Sequence, residues 1–174
     1  MELWEIMKNR RSVRTYTGEQ IPAEKLDMVV KAGLVSASGR SIRPWEFIVV
    51  QDKEMLTKLA GSRAVGAKML EGAAAAIVVV GDEDKADTWI EDSCIAMANM
   101  HLMADAIGLG SCWIQGRMRL AADGRTTENV VRELLGIPEN YRLEAILSLG
   151  MISEHPKGYE EADLYTEKIH MEKF

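Results

Sequence analysis

Cysteine and histidine are scarce in this chain, and their scarcity argues against several kinds of site. The two cysteines, Cys94 and Cys112, form no CxxC pair and have no histidine pair nearby. We therefore expect two buried thiols, with neither a disulfide framework nor a zinc site. The three histidines are scattered and give no local signature of a Ser-His-Asp or Cys-His catalytic group. Glu167 and His170 have helical i, i+3 spacing but no second ligand set, so we predict no metal site.

Long hydrophobic runs and excess positive charge are also absent. The longest apolar run, Ala73 to Val80, is far too short to cross a bilayer. Met1 leads directly into Glu2 and an amphipathic segment, so neither a signal peptide nor a transit peptide is visible, and we expect a cytoplasmic protein with no membrane partner. The formal net charge is -6, which argues against nucleic acid as the main partner because such binding needs a broad positive surface.

The composition is that of an ordinary globular domain, with 47% hydrophobic and 28% charged residues among 174. We predict one domain spanning residues 1–174, without linkers or repeats. Apolar periodicity predicts helices over residues 2–9, 22–34, 53–60, 88–110 and 126–135, and strands over 45–50, 73–81, 111–116 and 143–151. This mixed order predicts helices flanking a sheet of four or five short strands, while the tail from His155 has no strong pattern.

Local chemistry refines these elements. Asp52 is a candidate N-cap for the third helix, and Gly108 or Gly110 a candidate C-cap for the long fourth helix. That helix is apolar nearly all round, so we predict that it is central and buried. The large aromatic side chains of these elements, Trp45, Trp89 and Trp113, are interpreted as packing residues. The methionines are interpreted as residues of helix packing or of a dimer interface: Met97, Met100 and Met103. His101 is interpreted as a hydrogen-bonded core group.

Two glycine-rich stretches resemble nucleotide-binding motifs but lack their essential residues. GSRAVGAK, residues 61–68, has the GxxxxG spacing of a phosphate loop, but Ala67 and Lys68 stand where Lys and then Ser or Thr are needed. GLGSCW, residues 108–113, lacks the third glycine of the dinucleotide fingerprint and follows a helix rather than a strand. Neither stretch predicts a nucleotide site.

The stretch NRRSVRTYT, residues 9–17, concentrates positive charge in this acidic chain. Arg10, Arg11 and Arg14 fall within five positions just after the first helix, on an extended path that Gly18 ends. Such a cluster can be a solvated helix end, a nucleic-acid contact or a pocket for one small anion. Guanidinium groups make planar, bidentate, permanently charged contacts to phosphate, which gives the pocket interpretation a physical basis.

Four ordered segments resemble the flavin-dependent nitroreductase family. The first is the RRS-x-R-x-[YF] stretch that begins at Arg10, and the second is the loop that ends in Pro44 and Trp45 before the strand EFIVV. The third is ADAIGLGSCWIQG, and the fourth is the late GIP with the following LG before a final proline. Together they cover nearly the whole chain.

The resemblance implies an α+β fold with a central, mostly antiparallel sheet flanked by helices, in an intertwined homodimer that holds FMN at its interface. The phosphate or ribityl chain would contact Arg10 and Ser12. Arg11 would either join them or face solvent. Arg14 would lie at the pyrimidine edge of the isoalloxazine, where fixed positive charge stabilises the reduced ring.

The resemblance assigns further flavin contacts from other parts of the chain. A loop of the partner subunit would contribute Ser38, Gly39 and Ser41, with Arg43 as an additional donor where this loop departs from the family pattern. Backbone N–H groups of Gln115 and Gly116 would lie near N5 and O4 of the flavin. Lys68 matches a lysine near the pyrimidine, and Lys168 is a candidate for a C-terminal phosphate cation.

The implied activity is reduction of bound FMN by NAD(P)H, followed in a ping-pong scheme by reduction of a nitroaromatic, quinone or similar small acceptor. We assign no catalytic side chain, because solvent or flavin can supply the protons. Alternatives within the superfamily are a reductive dehalogenase, an enone reductase or a flavin-consuming enzyme. The non-catalytic alternatives are a flavin-binding redox sensor and an anion-binding domain without flavin. Arg117 and Arg119 either close the pocket or are exposed.

Overall fold

Two helices and then alternating strands and helices, five α-helices and four β-strands in all, make up the computed structural model, which describes residues 2–174. The helices are α1 (Leu3–Asn9), α2 (Ala23–Leu34), α3 (Lys53–Ala60), α4 (Trp89–Ala106) and α5 (Thr127–Leu135). The strands are β1 (Trp45–Val50), β2 (Ala75–Asp82), β3 (Gly110–Gln115) and β4 (Tyr141–Gly150). Short 3-10 turns lie at Gly39–Ser41, Lys68–Gly72, Glu161–Asp163 and Thr166–Lys168. The predicted helices and strands are therefore confirmed: α3 and β1 have the predicted bounds, and the ends of the others differ by at most four residues.

The four strands form one antiparallel sheet in the order β1-β2-β4-β3. Both edges of this sheet, β1 and β3, carry predicted site residues or lie next to them. Gly110 pairs with Gly150 at one end of the sheet, which we call the Gly150 end. Trp45 pairs with Gly81, and Gly81 with Arg142, at the other end, which we call the Arg142 end. The central strand β2 is buried along its whole length, as its continuous apolar run predicts.

Helices cover both faces of the sheet and create two cores. On one face, α3 and α5 pack with the Lys68–Gly72 turn against strand residues that include Val78 and Ile146. On the other face, α2 and α4 pack against strand residues that include Ile77 and Leu147. Trp45 is buried at the start of β1, so its interpretation as a packing residue is confirmed. No helix within residues 2–174 combines the length and the apolarity needed to span a membrane.

The ends of the helices follow the predicted capping chemistry. Asp52 accepts a hydrogen bond from the backbone of Met55 at 2.8 Å, which makes it the N-cap of α3. Of the two glycines proposed to end α4, Gly108 has the left-handed conformation, with φ of 76°. The next residue, Leu109, donates its N–H to the carbonyl of Ala104 at 2.8 Å and completes the turn.

The long helix α4 is less enclosed than its composition predicts. Met97 and Met100 are fully buried in the core between α4 and the sheet, which confirms that they are packing residues. Glu91 and Ile95 are exposed on the side of α4 that faces away from the sheet, α1 and α2. Cys94 is likewise half-buried rather than fully buried, unlike Cys112. The remaining large side chains predicted to pack are partly exposed: Trp89, Trp113 and Met103.

Candidate functional site

The basic segment, residues 10–16, crosses the free edge of β3 at the Gly150 end of the sheet. Ser12 forms an isolated parallel bridge with Ser111, and the N–H of Val13 donates to the carbonyl of Ser111 at 2.9 Å. Beyond the segment, the N–H of Thr17 donates to the carbonyl of Met151 at 2.9 Å. The predicted extended path is confirmed: its backbone is anchored on β3, and the residue that follows it is anchored on Met151, directly after β4.

Two strand glycines leave room for this crossing. A Cβ atom on Gly150 would lie 2.6 Å from the ring of Tyr16, and one on Gly110 would lie 2.9 Å from a methyl group of Val13. The hydroxyl of Tyr16 donates to the carbonyl of Val13 at 2.9 Å and lies 2.7 Å from Ser148 Oγ. Burial raises the pKa of Tyr16 above its ordinary value, so the ring stays neutral. Close packing therefore fixes the course of the basic segment.

The guanidinium of Arg10 lies against a buried histidine of α4. Arg10 Nη1 is 3.0 Å from His101 Nε2, and His101 Nδ1 is 2.5 Å from Ser111 Oγ. Burial lowers the pKa of His101 to about 4, and the charge of Arg10 adds to this effect. The interpretation of His101 as a hydrogen-bonded core group is confirmed. Within the described chain, Arg10 makes no other side-chain hydrogen bond, so four of its five N–H donors are available.

Arg11 contacts the C-terminal segment, whereas Arg10 contacts His101. Its Nη1 donates to the carbonyl of Lys157 at 2.7 Å, and its guanidinium carbon lies 4.7 Å from the centre of the Tyr159 ring. The N–H of Tyr159 in turn donates to the carbonyl of Lys8 at 2.8 Å, at the end of α1. Arg11 thus ties residues 157–159 to α1, a role that the sequence pattern did not suggest.

Arg14 and Lys68 line the same cleft. This cleft, of about 440 Å³, lies between the basic segment and the Lys68–Gly72 turn and is also lined by Tyr16 and Glu71. Arg14 makes only a long contact of 3.4 Å to the carbonyl of Ser12, and Lys68 is exposed. Two predicted pyrimidine-edge cations, 54 positions apart in sequence, are therefore neighbours in the fold.

Gln115 and Gly116 lie at the opposite end of β3. The N–H of Gly116 donates to the carbonyl of Glu144 at 3.0 Å and is therefore already engaged. Because hydrogen bonding alternates along an antiparallel pair, the N–H of Gln115 faces away from β4, at the free edge of the sheet. Of the two predicted backbone donors, Gln115 is the one directed outwards.

The sequence pattern did not single out one buried carboxylate near this end of β3. Glu144 accepts a hydrogen bond from Gln115 Nε2 at 3.1 Å and lies 3.2 Å from Arg117 Nε. The side-chain carbonyl of Gln115 accepts from Trp113 Nε1 at 2.9 Å, so both ends of the Gln115 amide are held. The available signal was a glutamate inside the otherwise apolar strand LEAILSLG. Arg117 is half-buried by this contact, whereas Arg119 is exposed.

Comparison with known proteins identifies the family. The sequence model of the nitroreductase family matches residues 7–65 and 60–151 of this chain. The chain belongs to the nitroreductase family. It is 36% identical, over 99% of each chain, to a protein of Archaeoglobus fulgidus that carries the provisional name NADH dehydrogenase/NAD(P)H nitroreductase.

Solved structures of family members confirm the predicted fold. An FMN-dependent nitroreductase from Clostridium difficile R20291 superposes with a TM-score of 0.94 and 42% identity, over 97% of this chain and 98% of that one. An NADPH:FMN oxidoreductase from Vibrio harveyi, complexed with NAD+, gives a TM-score of 0.81 and 25% identity, over 99% of this chain and 77% of that one. The chain therefore shares the nitroreductase architecture with these two proteins over at least 97% of its length.

The loop before β1 holds the remaining predicted residues of this nitroreductase-family chain. Ser38 Oγ accepts from the N–H of Arg43 at 3.0 Å. Arg40, Ser41 and Arg43 all have left-handed backbone conformations, with φ of 52°, 56° and 54°. Such strain at residues other than glycine persists only where surrounding contacts impose it, and it concentrates at functional sites.

Within the chain this loop is remote from the basic segment. It precedes β1 at the Arg142 end, whereas the basic segment crosses β3 at the Gly150 end, so the two occupy diagonally opposite corners of the sheet. Lys168 lies in the exposed C-terminal turn, with Nζ 4.4 Å from the centre of the Tyr165 ring. The chain therefore places Arg10, Ser12 and Arg14 on one segment and Lys68 across the cleft from Arg14, with the loop residues elsewhere.

Asp92 should hold the strained loop in place. Its buried carboxylate accepts from the N–H of Gly39 at 2.8 Å and from Thr88 Oγ1 at 3.1 Å. Asp92→Ala leaves both donors without this acceptor and should cost about 1–3 kcal/mol in the free energy of unfolding. Limited proteolysis should then cut within residues 38–43.

The matched control for this variant is Asp87→Ala. Asp87 pairs with Arg40 of the same loop, but both side chains are largely exposed, so the loss should stay below about 0.5 kcal/mol. Equal destabilisation by the two variants in urea unfolding would contradict the role given to Asp92.

Proposed function

We propose that this protein is an FMN-dependent NAD(P)H oxidoreductase that reduces a nitroaromatic, quinone or similar small acceptor. The observation that carries the proposal is the arrangement of the basic segment: a buried histidine holds Arg10, and Arg14 shares a cleft with Lys68. The names of its relatives, an FMN-dependent nitroreductase and an NADPH:FMN oxidoreductase, point to the same chemistry.

The residues present fit FMN at both of its ends. Arg10 has four N–H donors available beside Ser12, and such a donor set suits a phosphate monoester. Arg14 and Lys68 supply the positive charge that an electron-rich pyrimidine ring favours on reduction. The outward N–H of Gln115 is the candidate donor for the far edge of the ring. FMN, when bound, supplies two-electron chemistry that none of the twenty side chains offers.

The titratable side chains near these residues do not suggest an acid, base or nucleophile. His101 is neutral at pH 7, since burial lowers its pKa to about 4, and its two ring nitrogens are already engaged. Burial also raises the pKa of the Cys94 thiol to about 11, so it remains protonated and unreactive. The work of this chain is therefore to bind and orient FMN, its electron donor and its acceptor.

We propose further that the protein acts as a homodimer in which the loop of residues 38–43 completes the site of the partner subunit. The diagonal separation of this loop from the basic segment favours that arrangement. Apolar side chains on the outer surfaces of α1 and α2 favour burial against a second copy: Leu3, Trp4, Met7, Leu34 and Val35. A cleft of about 260 Å³ between α1, α2 and α4 continues this apolar surface.

An anaerobic spectral titration tests the proposed activity. Protein loaded with FMN should be yellow, should bleach when NADH or NADPH is added, and should regain its colour when a nitroaromatic or quinone follows. A protein that is colourless after incubation with FMN and removal of the unbound flavin would refute both the enzyme and the redox-sensor interpretations. Protein that binds FMN but is not bleached by either nicotinamide would refute the oxidoreductase and leave the flavin-binding sensor.

A further inference from the structure

The end of α1 is attached to α4 at two consecutive residues. Asn9 Nδ2 donates to Asp105 Oδ2 at 2.9 Å, and Arg10 Nη1 lies 3.0 Å from His101 Nε2. His101 and Asp105 are four residues apart on α4 and therefore share one helix face. Asp105 is also 2.7 Å from His155 Nε2. The two α4 side chains thus form a fixed base for the start of the basic segment.

The protonation of His101 follows from its two partners. A guanidinium carries only donors, so His101 Nε2 must accept from Arg10 and carries no proton. The single ring proton is then on Nδ1, which donates to Ser111 Oγ. Ser111 also accepts from Val13 through its backbone carbonyl. One residue of β3 therefore fixes the backbone of the basic segment directly and the guanidinium of Arg10 through His101.

We propose that His101, oriented by Ser111, is a positioning residue that aims the guanidinium of Arg10 at the phosphate of the bound ligand. The proposal rests on the proposed function, since it takes the phosphate to be that of FMN. A flexible arginine loses rotamer freedom when it binds an anion, and a buried hydrogen bond that already orders it reduces that loss. His101 itself does not touch the ligand, and its effect passes through Arg10.

Riboflavin separates this role from a merely structural one, because it has the ring and ribityl chain of FMN but lacks the phosphate. We compare the dissociation constants of FMN and riboflavin by flavin fluorescence quenching in the full-length protein. His101→Phe keeps a ring of similar size but removes both hydrogen bonds, and it should weaken FMN about tenfold while leaving riboflavin within about twofold. His101→Gln retains an acceptor and a donor and should restore most of the FMN affinity.

A double-mutant cycle assigns the effect to Arg10. In the Arg10→Ala background, His101→Phe should no longer change the ratio of FMN to riboflavin affinity. Equal weakening of both ligands by His101→Phe, or a ratio change that persists without Arg10, would overturn the proposal. If His101→Phe fails to fold by circular dichroism, Ser111→Ala replaces it, with the same direction of effect expected.

Inorganic phosphate keeps the proposal testable if the flavin function fails. Wild-type protein that binds neither FMN nor riboflavin would refute the proposed function. The positioning role would then be judged by phosphate titration followed through the Arg10 guanidinium NMR signals. Phosphate binding that His101→Phe weakens would support the role without flavin, and absent or unaffected phosphate binding would refute it.

Discussion

Replacing Arg10 and Arg14 together with alanine is expected to abolish FMN retention while leaving the protein folded. Each arginine is placed to make charge-assisted hydrogen bonds, Arg10 from beside His101 and Arg14 from the cleft that it shares with Lys68. One such bond contributes about 1.5–3 kcal/mol, so the double variant should bind FMN about 10²- to 10⁴-fold more weakly. The purified variant should be colourless, with an unchanged far-ultraviolet circular dichroism spectrum.

The matched control removes two positive charges elsewhere. Arg125 pairs with Asp123 and Glu133, and Lys58 pairs with Glu54. Arg125→Ala with Lys58→Ala therefore changes the net charge equally without touching the basic segment, and it should retain one FMN per chain. An Arg10→Ala, Arg14→Ala protein that keeps stoichiometric FMN would contradict the placement of the cofactor.

Acid should destabilise the flavin-free protein through His101. The ordinary pKa of histidine is 6.5, and burial, with the facing charge of Arg10 added, lowers that of His101 to about 4 in the fold. Asp105, the facing carboxylate on α4, opposes this shift only in part. The unfolded chain therefore takes up a proton at higher pH than the folded one, so stability is complete above about pH 6.5 and declines towards pH 4. The loss from this residue should be about 3 kcal/mol.

Urea unfolding at several pH values, compared between wild type and His101→Gln, isolates this contribution. Glutamine does not titrate, so the stability difference between the two proteins should shrink or reverse as the pH falls from about 6.5 to about 4. Groups that do not face residue 101 titrate equally in both proteins and cancel in the comparison. A difference that stays constant across this range would show that His101 does not control the acid response.

The strands and helix ends were predictable because their causes are local. The apolar, β-branched run of β2 predicts a strand covered on both faces, and the fold buries it on both faces. Asp52 and Thr126 precede their helices and accept from backbone N–H groups three residues later, as N-caps do. Each of these features depends on residues within one or two turns of chain.

The contacts that organise the candidate site were not predictable because they are long-range. Arg10 and His101 are 91 positions apart, and no local pattern pairs them. The left-handed conformations of Arg40, Ser41 and Arg43 also run against residue preference, which assigns such backbone to glycine. The family resemblance placed Arg14 and Lys68 near one ring, but only the fold shows that they line one cleft.

A crystal structure of the protein with FMN would show where the phosphate and the ring lie. We predict the phosphate within hydrogen-bond distance of Arg10 and Ser12, and the pyrimidine edge beside Arg14 and Lys68. FMN whose phosphate lies on other residues, or a crystal without FMN at saturating concentration, would contradict it.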